Sequence, residues 1–239
     1  LAASTGGPGP DPGYEGTWLL PSSARVAGSS AFWTTDLSVT NPTSTSATVY
    51  VKFLGHDGAG PAGPERLFTI PARATSTWQD VLGSVFGRET DWGPILVRSE
   101  STALVAQGQT WTAGPSGGGF GQSVPAIGPA ETVGASARTL TGVRQDSRFR
   151  TNVVLANMKD AEAQVVLDVF RADGIAAAST TVTLGPLGFR QLNLANDLGV
   201  SDLSNGSIRI SSRTSGAQVA AYASVIDATT SDPRTILAR

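Results

Sequence analysis

The fold of this chain is decided by two stretches, residues 33–58 (WTTDLSVTNPTSTSATVYVKFLGHDG) and residues 149–174 (FRTNVVLANMKDAEAQVVLDVFRADG). They align over their whole length without a gap, and apolar residues occupy corresponding positions in both. The identical pairs are Thr35/Thr151, Asn41/Asn157, Ala47/Ala163, Val49/Val165, Asp57/Asp173 and Gly58/Gly174. Because similarity that keeps its order over a whole unit indicates an internal repeat, the alignment predicts two copies of one structural unit.

The aligned stretches alternate between apolar and polar residues. Leu37 and Val39 alternate with serine and threonine in the first copy, and Val153 and Leu155 occupy the matching positions in the second. A period of two is typical of β-strands with one buried face. We therefore predict an all-β fold of two tandem Ig-like antiparallel β-sandwich domains, related by the internal repeat, with about seven short strands each.

The segments between the predicted strands carry turn residues. Asn41 and Asn157 are placed to close turns by hydrogen bonds from side chain to backbone. The Asp-Gly pairs at 57–58 and 173–174 mark hairpins or tight loops. Residues 78–86 and 192–198 have apolar residues at helical spacing, and we predict short helical turns there, which close an end of each sandwich.

Changes in composition along the chain predict its domain organisation. Residues 1–16 are rich in glycine and proline and are interpreted as an arm or linker. The first sandwich is predicted over residues 17–127, a linker over 128–137 and the second sandwich over 138–239. Each predicted domain is long enough to bury a hydrophobic core without disulfides.

The overall composition excludes several classes of function. Charged residues make up 15% of the 239 residues and the net charge is -2, so the chain lacks the basic surface that binds nucleic acid. The absence of cysteine excludes disulfides and thiolate metal sites. No stretch approaches the roughly 20 consecutive apolar residues of a membrane-spanning helix. We predict no cofactor, no bound metal and no membrane span.

The catalytic inventory of the sequence is small. His56 is the only histidine, and the alignment places it in a turn opposite Ala172, which predicts an exposed residue without the buried acid of a catalytic triad. Asp227 and Asp232 lie in a segment interpreted as an Asp-rich turn rather than a calcium site. The carboxylates that a glycosidase would need are predicted to be solvated loop charges: Glu65, Asp80, Glu89, Asp91 and Glu100. We therefore predict that the protein is not an enzyme.

All five tryptophans lie in the first copy. Trp33 aligns with Phe149 and Trp78 with Leu192, so these two are predicted to be core residues. Trp92 and Trp111 have no aromatic counterpart in the second copy. Exposed aromatic side chains stack on sugar rings or anchor protein partners, which makes these two tryptophans the candidate contact residues.

Three segments carry a resemblance to a group of proteins. FRTNVVLAN at 149–157, YASVID at 222–227 and GFGQSVPA at 119–126 resemble tandem repeats of secreted bacterial proteins. More distantly, the strand pattern around Asn41 and around the segment TIPA at 69–72 is similar to the small β-sandwich of the sensory-rhodopsin transducer family. The resemblance implies an exported protein and assigns no catalytic residue.

Two functions are compatible with these observations. The first is a secreted, non-enzymatic structural or interaction protein, such as a cell-surface, adhesion or filament component. Its partner is another protein or a second copy, contacted through the N-terminal arm or the edges of the sheets. The alternative is a carbohydrate-binding or adhesion module that uses Trp92 and Trp111 of the first domain.

Overall fold

The structure, a computed structural model, describes residues 14–28, 31–56, 63–114 and 118–239. Within them lie sixteen β-strands, two short α-helices and one 3₁₀ turn. Every pairing between the described strands is antiparallel. The predicted all-β, antiparallel fold is confirmed. The predicted turn at 57–58 and the first thirteen residues of the predicted arm lie outside the described residues.

The first half of the chain contains eight strands and one helix. The elements are β1 (Gly16–Ala27), β2 (Phe32–Thr40), β3 (Ala47–Phe53), β4 (Arg66–Ile70), β5 (Thr75–Trp78), α1 (Val81–Ser84), β6 (Asp91–Ser99), β7 (Val105–Ala113) and β8 (Gly119–Pro125). The long strand β1 pairs with β6 over most of its length, with a register shift after Leu20, and its last residues also pair with β2. Because β1 joins both groups of strands, the strands of this half form one continuous sheet.

The second half also contains eight strands and one helix, preceded by the 3₁₀ turn Pro129–Glu131. Its strands form two separate four-stranded sheets. The elements are β9 (Arg138–Gln145), β10 (Phe149–Asn157), β11 (Ala163–Phe170), β12 (Ala176–Leu184), β13 (Phe189–Asn193), α2 (Leu194–Leu198), β14 (Leu203–Ser212), β15 (Val219–Asp227) and β16 (Pro233–Leu237).

The two halves have the same strand order. The sheets of the second half run β12-β11-β14-β9 and β13-β10-β15-β16, and the first half contains the orders β4-β3-β6-β1 and β5-β2-β7-β8. Each strand of the second half therefore has a counterpart numbered eight lower. Residues aligned in the sequence, such as Leu37 and Val153, lie on counterpart strands and are both fully buried.

Asn41 and Asn157 hold the same loop in the two halves. Both are fully buried at the end of a strand. The Asn41 amide donates to the carbonyl oxygens of Thr45, Ile70 and Pro71 at 2.7 to 3.1 Å. The Asn157 amide donates in the same way to the carbonyl oxygens of Ala161 and Gly185 at 2.7 and 2.9 Å. The predicted role of these residues in closing turns is confirmed, and it extends to joining two loops.

The two predicted helical turns are present. Asp80 precedes α1 and its carboxylate accepts a hydrogen bond from the Gly83 backbone at 3.3 Å. Asn193 precedes α2, and its side-chain oxygen accepts hydrogen bonds from the backbone N–H groups of Ala195 and Asn196, both at 3.1 Å. Both helices are shorter than predicted, because Trp78 and Leu192 belong to the preceding strands β5 and β13.

The halves share one hydrophobic cluster. Leu19 and Leu96 are paired across β1 and β6, are fully buried, and belong to the same cluster as Val154, Ala156 and Tyr222 of the second half. These three residues alternate with core residues of the second sandwich, so they lie on its outer face. In sheet β13-β10-β15-β16, the parts of β10 and β15 around Val154 and Tyr222 are consequently buried on both sides.

The segments predicted as arm and linker contribute to this packing. Tyr14 packs edge-on against Tyr50, with ring centroids 4.9 Å apart, and its hydroxyl donates to Glu65 at 3.2 Å. In the predicted linker at 128–137, Val133 is fully buried and exchanges backbone hydrogen bonds with Val219 at 2.8 and 2.9 Å. The segment that joins the halves is therefore hydrogen-bonded to β15 of the second half.

Candidate functional site

Trp111 lies on the outer face of the first half. It is opposite Thr34 of β2 and Gly121 of β8, and it is 37% exposed. Its indole Nε1 donates a hydrogen bond to the Asp36 carboxylate at 3.1 Å. The other oxygen of that carboxylate accepts from the Asp80 backbone N–H at 2.8 Å, so the acceptor of the indole is itself held in place.

Two glycines of β8 lie beside Trp111. A Cβ atom at Gly121 would lie 2.7 Å from the Cβ of Trp111, and one at Gly119 would lie 3.6 Å from its Cε3. The nitrogen edge of the ring therefore points towards β2 and the opposite edge towards β8. The indole thus spans the space between β2 and β8 and is partly exposed, and exposed aromatic rings are the groups that stack on sugars.

Around the indole the sheet carries short polar side chains. Ser38 and Thr77 share a hydrogen bond at 2.9 Å, and so do Thr40 and Thr75 at 2.9 Å. Apart from Asp36 these residues carry no charge. We call this surface the Trp111 face; its members are Thr34, Asp36, Ser38, Thr40, Thr75, Thr77, Val105, Gln107, Gln109 and Trp111.

Trp92 has a different environment. It is 38% exposed, and one face of its indole stacks on the ring of His56, with centroids 3.6 Å apart and an angle of 21° between the planes. His56 Nδ1 is 3.0 Å from Asp91 Oδ1. The imidazole thus covers one face of the Trp92 indole, and Trp92 remains as exposed as Trp111.

Asp91 corrects two expectations. It is the first residue of β6 and only 4% exposed, whereas the sequence predicted a solvated loop charge. Its carboxylate accepts from the Arg88 guanidinium at 2.6 Å and from the Trp92 backbone at 2.9 Å, and these donors offset the cost of burying its charge. The prediction that His56 lacks a buried orienting acid is therefore wrong.

Within the described ranges, the paired His56 and Asp91 have no third side chain that would complete a triad. In the described part of the chain, no serine or threonine hydroxyl is hydrogen-bonded to His56. A nucleophilic hydroxyl within hydrogen-bond reach of the imidazole is what the acyl-transfer mechanism requires. The imidazole instead stacks on the indole of Trp92.

Asp227 is the last residue of β15 and borders the turn that follows at 228–230. Its carboxylate accepts from the Thr229 backbone at 2.8 Å and from the Arg148 guanidinium at 3.0 Å. The Thr229 N–H, followed by the Arg148 charge, lowers the pKa of Asp227. These donors occupy the oxygens that a calcium ion would use. Across the described residues, no group of three or more His, Cys, Asp or Glu side chains is arranged to hold a metal ion.

Trp92 and Trp111 are not brought together. Their strands, β6 and β7, are separated by β1 and β2 in the sheet order. Three strand spacings amount to about 14 Å, too far for both indoles to stack on one sugar ring. The sequence indicated both residues because neither has an aromatic counterpart in the second copy. It did not indicate the distance between them.

The sequence missed the interface between the halves, although a signal was present. β15 reads VAAYASVID, and its first seven residues are all buried. A run that is apolar at both odd and even positions is typical of a strand buried on both faces.

Among the described residues, no helix has the length and apolar character needed to cross a bilayer. The chain matches no protein-family model, and no curated protein matches it.

Proposed function

We propose that this protein is a non-enzymatic structural and interaction protein that acts outside the cell, where it presents a recognition face at a cell surface. The observation that carries this proposal is the Trp111 face, an open and nearly uncharged sheet surface with one exposed indole. The rest of the molecule acts as the scaffold that displays it.

The packing between the halves supports a scaffold role. Tyr222 and Val154 of the second half are 2% and 1% exposed and share a cluster with Leu19 of the first half. Fully burying a side chain of this kind stabilises the packed arrangement by about 2 kcal/mol. The two sandwiches are therefore expected to move as one body and to fix the direction in which the Trp111 face points.

A filament role requires that copies of the protein associate with one another. Sedimentation velocity over a hundredfold range of protein concentration measures this self-association directly. We expect particles whose mass grows with concentration if copies join through the edges of their sheets. A single species with the mass of one chain at every concentration would contradict the filament role and leave adhesion as the form of the proposal.

Carbohydrate recognition is the second candidate function, and the surroundings of Trp111 favour it. An exposed indole among hydroxyl and amide groups offers an apolar surface and hydrogen-bonding partners to a neutral sugar. We expect Trp111→Ala to weaken glycan binding about thirtyfold, since removal of an aromatic anchor costs ~2 kcal/mol. Affinity electrophoresis in gels that contain neutral polysaccharides measures the loss.

Trp92→Ala is the matched control, because Trp92 is equally exposed but lies on β6, outside the Trp111 face. It should bind glycan like the unaltered protein. Equal losses in the two variants, or no retardation of the unaltered protein by any neutral polysaccharide, would contradict this second function.

A further inference from the structure

A polar cleft lies between the two halves, away from the Trp111 face. Its volume is about 410 Å³, which is in the range of small-molecule sites. The first half contributes Trp33 and Gln122, and the second half contributes Arg150, Asn152 and Gln191. Neither half alone forms the cleft.

The cleft exists because the outer face of sheet β13-β10-β15-β16 changes character along its strands. At one end the row of Ala156, Phe189 and Ala220 is apolar and packs against the first half. Two rows further on, paired residues are polar: Asn152 lies opposite Ser224, and Ser224 lies opposite Thr235. At this end the contacts with the first half are hydrogen bonds of Ser224 and Thr235 rather than apolar packing, and the cleft lies beside them.

Several groups in the cleft are held in position. The Ser224 hydroxyl is 2.9 Å from the Gln122 side-chain oxygen, a contact that crosses between the halves. The Asn152 oxygen accepts from the Asn193 amide at 3.0 Å, which leaves the Asn152 amide hydrogens available. Tyr222, which also lines the cleft, is buried. The polar groups are therefore preorganised, which reduces the entropy lost when a ligand binds.

The charge of the lining is positive. Arg150 is its only charged residue, and within the described residues Arg150 makes no ion pair or side-chain hydrogen bond. A guanidinium presents planar, paired donors that match a carboxylate. No described carboxylate lines the cleft to repel an anion.

We propose that this cleft binds a small polyhydroxylated anion, of which a hexuronate is the simplest example. Arg150 binds the carboxylate. Asn152, Gln122 and Gln191 bind hydroxyl groups, and the Trp33 indole forms an apolar wall for one face of the ring.

This site is independent of the proposed role of the Trp111 face. Thr110 lines the cleft and its neighbour Trp111 lies on the opposite side of β7, because successive residues of a strand point to opposite faces. Trp111→Ala should leave uronate binding unchanged, so failure of one site does not imply failure of the other.

The test is a titration of the ¹⁵N-labelled protein with glucuronate and galacturonate, followed by NMR, with glucose and acetate in parallel. We expect saturable shifts at Arg150, Gln122 and Gln191 with either uronate. Glucose and acetate should each bind at least tenfold more weakly, because each offers only part of the recognition. Acetate that binds as well as uronate would overturn the role of the hydroxyl contacts and with it the proposal.

Two arginine variants complete the test. Arg150→Gln should weaken uronate binding at least tenfold and remove the preference over glucose. Arg213→Gln is the matched control, since Arg213 is exposed, makes no side-chain hydrogen bond among the described residues and lies outside the cleft. Equal affinities for the two variants, or shifts that do not saturate, would overturn the proposal.

Discussion

The Trp111 face of the first half and the counterpart face of the second half have the same backbone pattern and opposite roles. Ser38 pairs with Gln107 in the first half, and Val154 pairs with Tyr222 at the counterpart position. The first pair borders open solvent, and the second is buried against the other half. A few side chains on one framework therefore decide whether a sheet face becomes an interface or stays exposed.

The comparison also shows why the chain does not simply continue as stacked sandwiches through the Trp111 face. That face carries Thr40 and Thr75 where the buried face carries Ala156 and Phe189. Hydroxyl groups that are already paired lose their water on burial and gain few new partners. A third sandwich docked there would gain little, which leaves the face available for a different partner.

The largest expected effect comes from a charge at the interface. Ala220→Asp places a carboxylate at a fully buried position and should lower the free energy of unfolding by roughly 4 kcal/mol, because a buried, unpaired charge is among the costliest substitutions. Urea denaturation measures the loss. Val105→Asp is the control, since Val105 is the counterpart on the Trp111 face and is 61% exposed. It should change stability by no more than about 0.5 kcal/mol.

Asn41 and Asn157 occupy counterpart positions in the two halves, so we expect them to contribute equally to stability. Asn41→Ala and Asn157→Ala each leave buried carbonyl groups without donors and should each cost roughly 3 kcal/mol. Chemical denaturation of the two variants beside Asn196→Ala, an exposed site, gives the comparison. Costs that differ by more than about 1.5 kcal/mol would contradict equivalent roles.

Tyr222 predicts a loss of stability in alkali. Burial raises its pKa to about 12 from the ordinary value of 10.0. Because the folded state holds the proton more tightly, this contribution is complete below pH 10 and falls by about 1.4 kcal/mol per pH unit as the pH approaches 12. Tyr222→Phe removes the titrating group, so unfolding curves of the variant should depend less on pH over this range. Parallel curves for the two proteins would contradict the assignment.

The smallest effect is expected from making the two faces alike. The triple variant Ser38→Val, Thr40→Ala and Gln107→Tyr copies the buried face onto the Trp111 face. It should change the stability of the single chain little and promote weak, concentration-dependent association, which sedimentation velocity detects. A monomer at all concentrations would show that the side chains of these two strands are insufficient for an interface.

Much of the fold was predictable from the sequence because its signals are local. The alternation around Leu37 and Val153 predicted strands with one buried face, and the asparagines at the strand ends predicted turns. Asp91 was not predictable, since its burial depends on Arg88 and on the Trp92 backbone N–H. The surroundings of Trp111 depend on Asp36 and on residues of another strand, so the sequence identified a candidate residue but not its geometry.

By itself the sequence determined the strands, the turns and the two aligned units, because hydrophobic periodicity and turn chemistry act between residues close in the chain. Only the tertiary structure decided which sheet faces meet. Val154 and Ser38 both alternate with core residues, yet one packs against the other half and one remains open. Burial of an outer face depends on what the distant half presents to it, and that pairing determines both the cleft and the exposed Trp111 face.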